Sequence, residues 1–581
     1  MVRGQYRVLL FLFSIAVIAS SCSYKRNASE VRVWQLAGPG VINPVLAADA
    51  DAYDVDNNIF EPLLNFDYKT LKLVPVLAQS LPEIKTDSAG RMLITYEIRK
   101  EAKWDNGTPV TAKDVEFTLK VTNNPAVNDA PLKTTYDLMS DVILYPDNPK
   151  KITIVFDKKY ALALESTGTN TFVLPEYAYD SNKYMEGFTV KQLHNDTSLA
   201  HDPKMLAFAK EFNSEKFTRD TAHISGSGPY RFTQWVTGQY VVLKKKKNWW
   251  GDALQGTNCF FDAYPDRLTY QVVNDQTSAL VSLKAGNLDV MKAIKPQDFA
   301  DLSKSEKFTA NFNTFTPLMF AYTYLGINMA SPKFSDIRTR QALAHLVDVQ
   351  RIIKDVYYGY AQQISCGISP MDSIDYNNDI KPFAYNIDSA KKLLTEAGWV
   401  DSDGDGVLDK VIDGKKTDFT IEFLLNQGAD SRKKVALIFQ EEARKVGITV
   451  NLVQKEFSVF QDLLKKHQFE MYTSGWVFQP GQQEFKQAFY STSALNEGSN
   501  HEGFGDATSD ALIDSIRVEF DENKRARMEK RLEAIIHDKC GYIFLIAPKA
   551  LLAISRKFPN AYPSSNNPFY WEAGLKAEGE K

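Results

Sequence analysis

The sequence is poor in the residues that staple small domains or build metal centres. Across 581 residues there are only four cysteines and seven histidines. Cys22 closes an apolar N-terminal run, and the other three, Cys259, Cys366 and Cys540, are an odd number set far apart. That excludes a disulfide framework and leaves room for one bridge at most. No two histidines stand at ligand spacing and none lies beside a cysteine pair, so nothing supports a zinc centre. A surplus of either charge is also missing. The formal net charge of −4 lacks the basic excess expected of a nucleic-acid partner. There is no Gly-x4-Gly-Lys-Ser/Thr phosphate loop and no Gly-x-Gly-x-x-Gly fingerprint. The nearest approach to a hydrolase elbow, Ser225 to Pro229 ("SGSGP"), lacks the Gly-x-Ser-x-Gly spacing and reads as a turn before a strand. Past the N-terminus no stretch approaches the roughly 20 apolar residues of a membrane helix.

What is present is a secretory N-terminus followed by a long mixed domain region. Arg3 and Arg7 precede an apolar run over 8–19, then Ala19, Ser20, Ser21 and Cys22. This is signal-peptide layout, and the cysteine after small residues resembles the lipobox of bacterial lipoproteins. Residues 1–22 are therefore expected to be a lipoprotein signal, with Cys22 the lipidated residue and 23–30 a polar tether. The remainder is too long for one core, so two or three domains are expected. Strand and helix patterns alternate throughout, giving an α/β (mixed α+β) class. The spacing predicts a strand over 91–99, a helix over 112–121 capped by Thr111, and a single helix over 337–356. Further on it predicts a helix over 389–397 ended by Gly398, a strand over 417–425, a helix over 432–446 ended by Gly447, and a strand over 449–453. The lysine run 244–247 reads as a solvated strand end, and Glu441 and Glu442 as surface acids.

Residues 401–409 ("DSDGDGVLD") are the densest carboxylate cluster. An EF-hand loop starting at Asp401 would use Asp403, Asp405 and Asp409, keep Gly406, and end with a bidentate Glu. The twelfth position is Ile412 instead, and Asp413-Gly414 looks like a hairpin turn. The expectation is an acidic turn. Any metal held by Asp401, Asp403, Asp405 and Asp409 would be a structural calcium, and no other cofactor is indicated. A reading from the enzyme class is an extracytoplasmic calcium-dependent glycosidase, whose active site needs only two carboxylates.

Several blocks in order resemble one family. They are "IFEPLLNFD" (59–67), "VLAQSLPEIKTDSAGRMLITYEIRKEAKWDNGTPVTAKDVEFTL" (76–119), "GSGPYRFTQWVTGQYVVLKKKKNWWG" (226–251), "AGNLDV" (285–290), "LGINMASPKFSDIRTRQAL" (325–343), "AKKLLTEAGW" (390–399) and "SGW" (474–476). Together they resemble the extracytoplasmic solute-binding proteins, family 5, of oligopeptide/dipeptide ABC transporters. The most distinctive block is the one around Trp104.

The resemblance implies a periplasmic binding protein-like class II fold, with two hinged lobes and an extra inserted domain. Lobe I would comprise 31–58, 196–305 and 542–581, the inserted domain 59–195, and lobe II 306–541. It implies a receptor and not an enzyme. Such a receptor captures peptides between the lobes, hands them to permease subunits, and works as a monomer outside the cytoplasmic membrane on a lipid anchor. A non-peptide cargo (oligosaccharide, modified peptide or metal chelate) is the alternative. By the same resemblance Gly38, Pro39, Gly40 and Val41 would run along the ligand, and Gly475, Trp476 and Val477 would give backbone bonds and an aromatic wall. The family's peptide binders carry an ammonium-pairing Asp where this sequence has Gln479. A neutral amide loses the charge-assisted strength, so either another carboxylate such as Glu484 supplies it, or the ligand has no free amino terminus.

Overall fold

The computed structural model describes residues 29–127, 138–495 and 498–579. Cys22, the signal 1–22 and most of the tether lie outside the described residues. Three larger sheets organise the rest. The first has seven strands in the order Phe312–Phe315, Leu552–Ser555, Val290–Met291, Glu30–Gln35, Arg267–Val272, Tyr240–Lys245, Tyr230–Val236. The second has six: Ala361–Gln363, Tyr542–Pro548, Ala321–Ile327, Met471–Val477, Thr420–Asn426, Thr449–Lys455. A four-stranded antiparallel sheet (Glu83–Thr86, Met92–Glu97, Lys151–Phe156, Met139–Leu144) forms the inserted domain. Each sheet buries its own apolar side chains, including Val33, Leu268 and Leu552 in the first, Leu325, Phe423 and Met471 in the second, and Ile94, Tyr96 and Ile154 in the third.

The chain passes between the first two sheets twice, at 316–320 and at 549–551. The two crossings lie side by side. Met319 N–H donates to Pro548 O (2.9 Å) and Ala550 N–H to Pro317 O (2.8 Å). A paired double crossing is a narrow waist between two packed bodies, the geometry of a hinge. Sheet membership differs from the boundaries expected at 306 and 541. Phe312–Phe315 pairs in the first sheet, and Tyr542–Pro548 in the second. Long-range strand pairing decides this, and no local pattern marks it.

Local signals mostly became the expected elements. Asp114 in the first turn of the helix Ala112–Asn123 accepts from the Thr111 N–H (2.8 Å) and hydroxyl (2.9 Å). That closes a helix start worth about 1 kcal/mol. Asp413 and Gly414 take φ +50° and +75° between the strands Asp409–Ile412 and Lys415–Asp418, the hairpin anticipated there. The helix expected over 337–356 is broken. Ile337–His345 stops, and Asp348 caps a new start by accepting from the Arg351 N–H (2.9 Å).

Two polar readings need correction. Lys246 is not solvated: its ammonium is tucked in to meet Asp105 (2.7 Å) and Gly226 O (2.7 Å). Ser225 Oγ also donates to Asp105 (3.0 Å), and Trp249 and Trp250 both donate to Ser227 O. A Cβ on Gly226 would meet Ile59 O at 2.1 Å. The 225–229 turn therefore ties the Trp104 block to the first sheet and is not a nucleophile elbow. Glu442 is buried and holds Arg351, Lys445 and the Tyr385 hydroxyl; only Glu441 is a surface acid. Cys259, Cys366 and Cys540 are all buried free thiols.

Candidate functional site

A cavity of about 610 Å³ lies between the inserted domain and the second lobe. The second lobe lines it with Trp476 to Pro480 and Gln482 to Phe489, the inserted domain with Phe66, Tyr160 and Glu165 among others. The strand Met471–Val477 delivers the first of these. On one side it pairs with Ala321–Ile327 along its whole length. On the other it pairs with Thr420–Asn426 only at Met471 and Tyr472. From Thr473 onward that edge has no strand neighbour among the described residues, and Trp476 and Val477 run along the cavity. Gly475 allows the close pairing, since a Cβ there would stand 2.6 Å from Tyr322 O. Val477 is 66% exposed and Trp476 is half-buried.

Contacts across the cleft show it shut. Gln479 Nε2 donates to the Tyr53 hydroxyl of the first lobe (3.2 Å). The Arg517 guanidinium reaches Glu484 (3.0 Å) and covers the Tyr160 ring (5.1 Å), while its backbone oxygen takes the Ala161 N–H (2.7 Å). The Tyr160 hydroxyl donates to Glu484 (3.2 Å). Burial, reinforced by the charge of Glu484, holds the Tyr160 phenol protonated. Glu484 thus cannot serve as a spare charge for a ligand, because Arg517 and Tyr160 already engage it. Burial likewise pushes the Glu165 carboxyl up from its ordinary value.

The two stretches expected to form the site part ways here. Trp476, Val477 and Gln479 line the cavity, with Gly475 behind them; Gly38, Pro39, Gly40 and Val41 do not line it. Gly38 N–H donates to Asp51 (3.0 Å) and Gly40 N–H to Asp49 (3.1 Å), both acids flanking or opening the short helix Ala50–Asp56. Tyr53, Tyr160, Glu165, Gln482 and Arg517 escaped sequence reasoning. Each reaches the site from a stretch distant in the chain from the others it meets there, and none belongs to a spaced motif.

The acidic turn holds Asp401, Asp403 and Asp405 with their carboxylate oxygens within 4.8 Å of one another, all exposed. Asp409 does not join them. It turns into the hairpin, accepting from Ser402 N–H (2.9 Å) and Oγ (2.7 Å). Lys416 already sits on Asp403, and Asp401 accepts from Gly404 and Gly406. Asp401, Asp403 and Asp405 are thus the three of the four that could share a metal ion, and calcium there would draw its further oxygens from backbone carbonyls and water.

Two packed lobes, a double-stranded waist and a cavity shut between them define a cleft-type binding protein. The family model described as "Bacterial extracellular solute-binding proteins, family 5 Middle" matches residues 72–497. The chain belongs to that family. It is 26% identical to the oligopeptide-binding protein AppA of Bacillus subtilis over 94% of each chain. It also shares the fold of the solved structure of that protein with a nonapeptide (TM-score 0.70, 24% identity, covering 94% of this chain and 98% of the other). NikA from Brucella suis, solved with Fe(III)-EDTA, is similar as well (TM-score 0.74, 20% identity, 95% and 99% covered). Among the described residues no helix is long and apolar enough to cross a membrane.

Proposed function

We propose that this protein captures peptides in the interlobe cavity and delivers them to the permease of an ABC importer. It acts outside the cytoplasmic membrane as a monomer, tethered through a lipidated Cys22. The observation that carries the reading is the open edge of Thr473–Val477 along the cavity. An extended backbone can add to such an edge as a further strand. Gln479, Gln482, Gln483 and Gln487 ring the same space, and neutral amides with water adapt to varied side chains. The similarity to an oligopeptide-binding protein supports the same cargo.

A thermal-shift screen with random pentapeptide pools tests this. A ligand at about 100 times its dissociation constant adds roughly 2.7 kcal/mol, so a clear rise in melting temperature is expected. No rise with any pool, together with a rise from an Fe(III) chelate or an oligosaccharide, would transfer the reading to the non-peptide alternative.

A further inference from the structure

We propose that Glu165 of the inserted domain is a specificity residue of the cavity, receiving a protonated amine or guanidinium of the bound peptide. The proposal rests on the peptide reading above and names which peptides bind. Among the described residues, the acids that line the cavity are Glu165 and Glu484. Glu484 is spent on Arg517 and Tyr160. Glu165 stands in the first turn of the short helix Ala163–Gly168; its carboxylate is met by the Gln482 backbone N–H and feels the Arg525 charge, while its Oε2 is shut off from solvent with no hydrogen-bond partner among the described residues. Gln482 Nε2, brought to the same cavity by the second lobe, is in the matching state, a donor without an acceptor. The two are neighbours through Gly481, where a Cβ would lie 3.3 Å from Glu165 Oε1.

Enclosed polar atoms are nearly always partnered, and a carboxylate oxygen left without a donor is a costly exception. The missing pieces are a cationic N–H for Glu165 and an acceptor for Gln482. An ammonium next to a carbonyl carries both, and so does a Lys or Arg side chain alongside its own backbone. Gln479 is no competitor for the cation: it is neutral and its amide is turned to Tyr53. Because Glu165 and Gln482 belong to opposite sides of the cleft, a ligand satisfying both bridges them and favours closure.

The test compares the wild-type protein with Glu165→Gln in calorimetric titrations against three pentapeptide pools. The first has free amino termini and no Lys or Arg; the second is N-acetylated without Lys or Arg; the third is N-acetylated with both. Wild type is expected to prefer the first or the third pool over the second by about tenfold or more, the span of a charge-assisted bond. E165Q is expected to lose that preference while binding the second pool as wild type does, which also shows that it is folded. Preference for the first pool identifies the α-ammonium, and for the third a side-chain cation. Equal preference in both proteins, with peptides still bound, overturns the role of Glu165 and leaves the peptide reading intact. Binding of no pool by either protein overturns both.

Discussion

Two stretches with the same claim to the site behave oppositely. Gly38 to Val41 closes on the chain that follows it: the amides of Gly38 and Gly40 are bonded to Asp51 and Asp49, acids at the start of the helix Ala50–Asp56. Gly475 to Gln479 has one edge without a strand neighbour among the described residues and presents Trp476, Val477 and Gln479 to the cavity. Both are glycine-containing stretches at the end of a sheet strand, and position in the fold does not separate them. What separates them is whether the backbone groups have found partners inside the protein. A ligand at the first stretch must displace charged acceptors, whereas one at the second adds to groups left over.

The contrast can be broken from either side. The largest effect is expected from Gly481→Val, which places a β-branched residue at φ +103° with its Cβ 2.7 Å from Phe66 Cζ. Strain of about 1–3 kcal/mol falls on the strap that closes over the cavity. Peptide-pool affinity should drop by about tenfold or more in a titration. Next comes Arg517→Met, which leaves Glu484 half-buried without its cation and removes the cover of Tyr160. About 1–2 kcal/mol of closure should be lost, read as a several-fold weaker apparent affinity with the melting temperature of the free protein little changed.

Gly38→Ala is expected to do the reverse. At φ +76°, with a Cβ 2.8 Å from Val272 Cγ2, it should lower unfolding stability by about 1–2 kcal/mol and leave peptide affinity unchanged. Denaturant unfolding beside a titration separates the two. A loss of affinity without loss of stability would put Gly38 back at the ligand. The smallest effect is expected in the acidic turn. Asp405→Asn keeps the acceptor for the Val407 N–H, and neither it nor added calcium should move the melting temperature measurably.

How much of this was legible in the sequence follows the same line. Gly398 and Gly447 at φ +86° and +82°, the Thr111 start and the Asp413-Gly414 hairpin are local, and each was readable from neighbouring residues. The ordered blocks gave the family, and one of them led to Trp476. Pairings across the chain left no such trace. Lys246 meets Asp105, Gln479 meets Tyr53, and Arg517 meets Tyr160 and Glu484. A charged residue reads as surface until its distant partner is known, which is why Lys246 and Glu442 were misplaced and Glu165 was passed over. Asp409 was misjudged for a related reason: spacing offered it to a metal, and the hairpin gave it to Ser402.

Native mass spectrometry of the purified protein with a random pentapeptide pool tests the central claim most directly. The account predicts one peptide adduct per chain on wild type and little or none on Gly481→Val at the same concentration. A wild-type spectrum without adduct, or an equal adduct on the Gly481 variant, would contradict capture in this cavity.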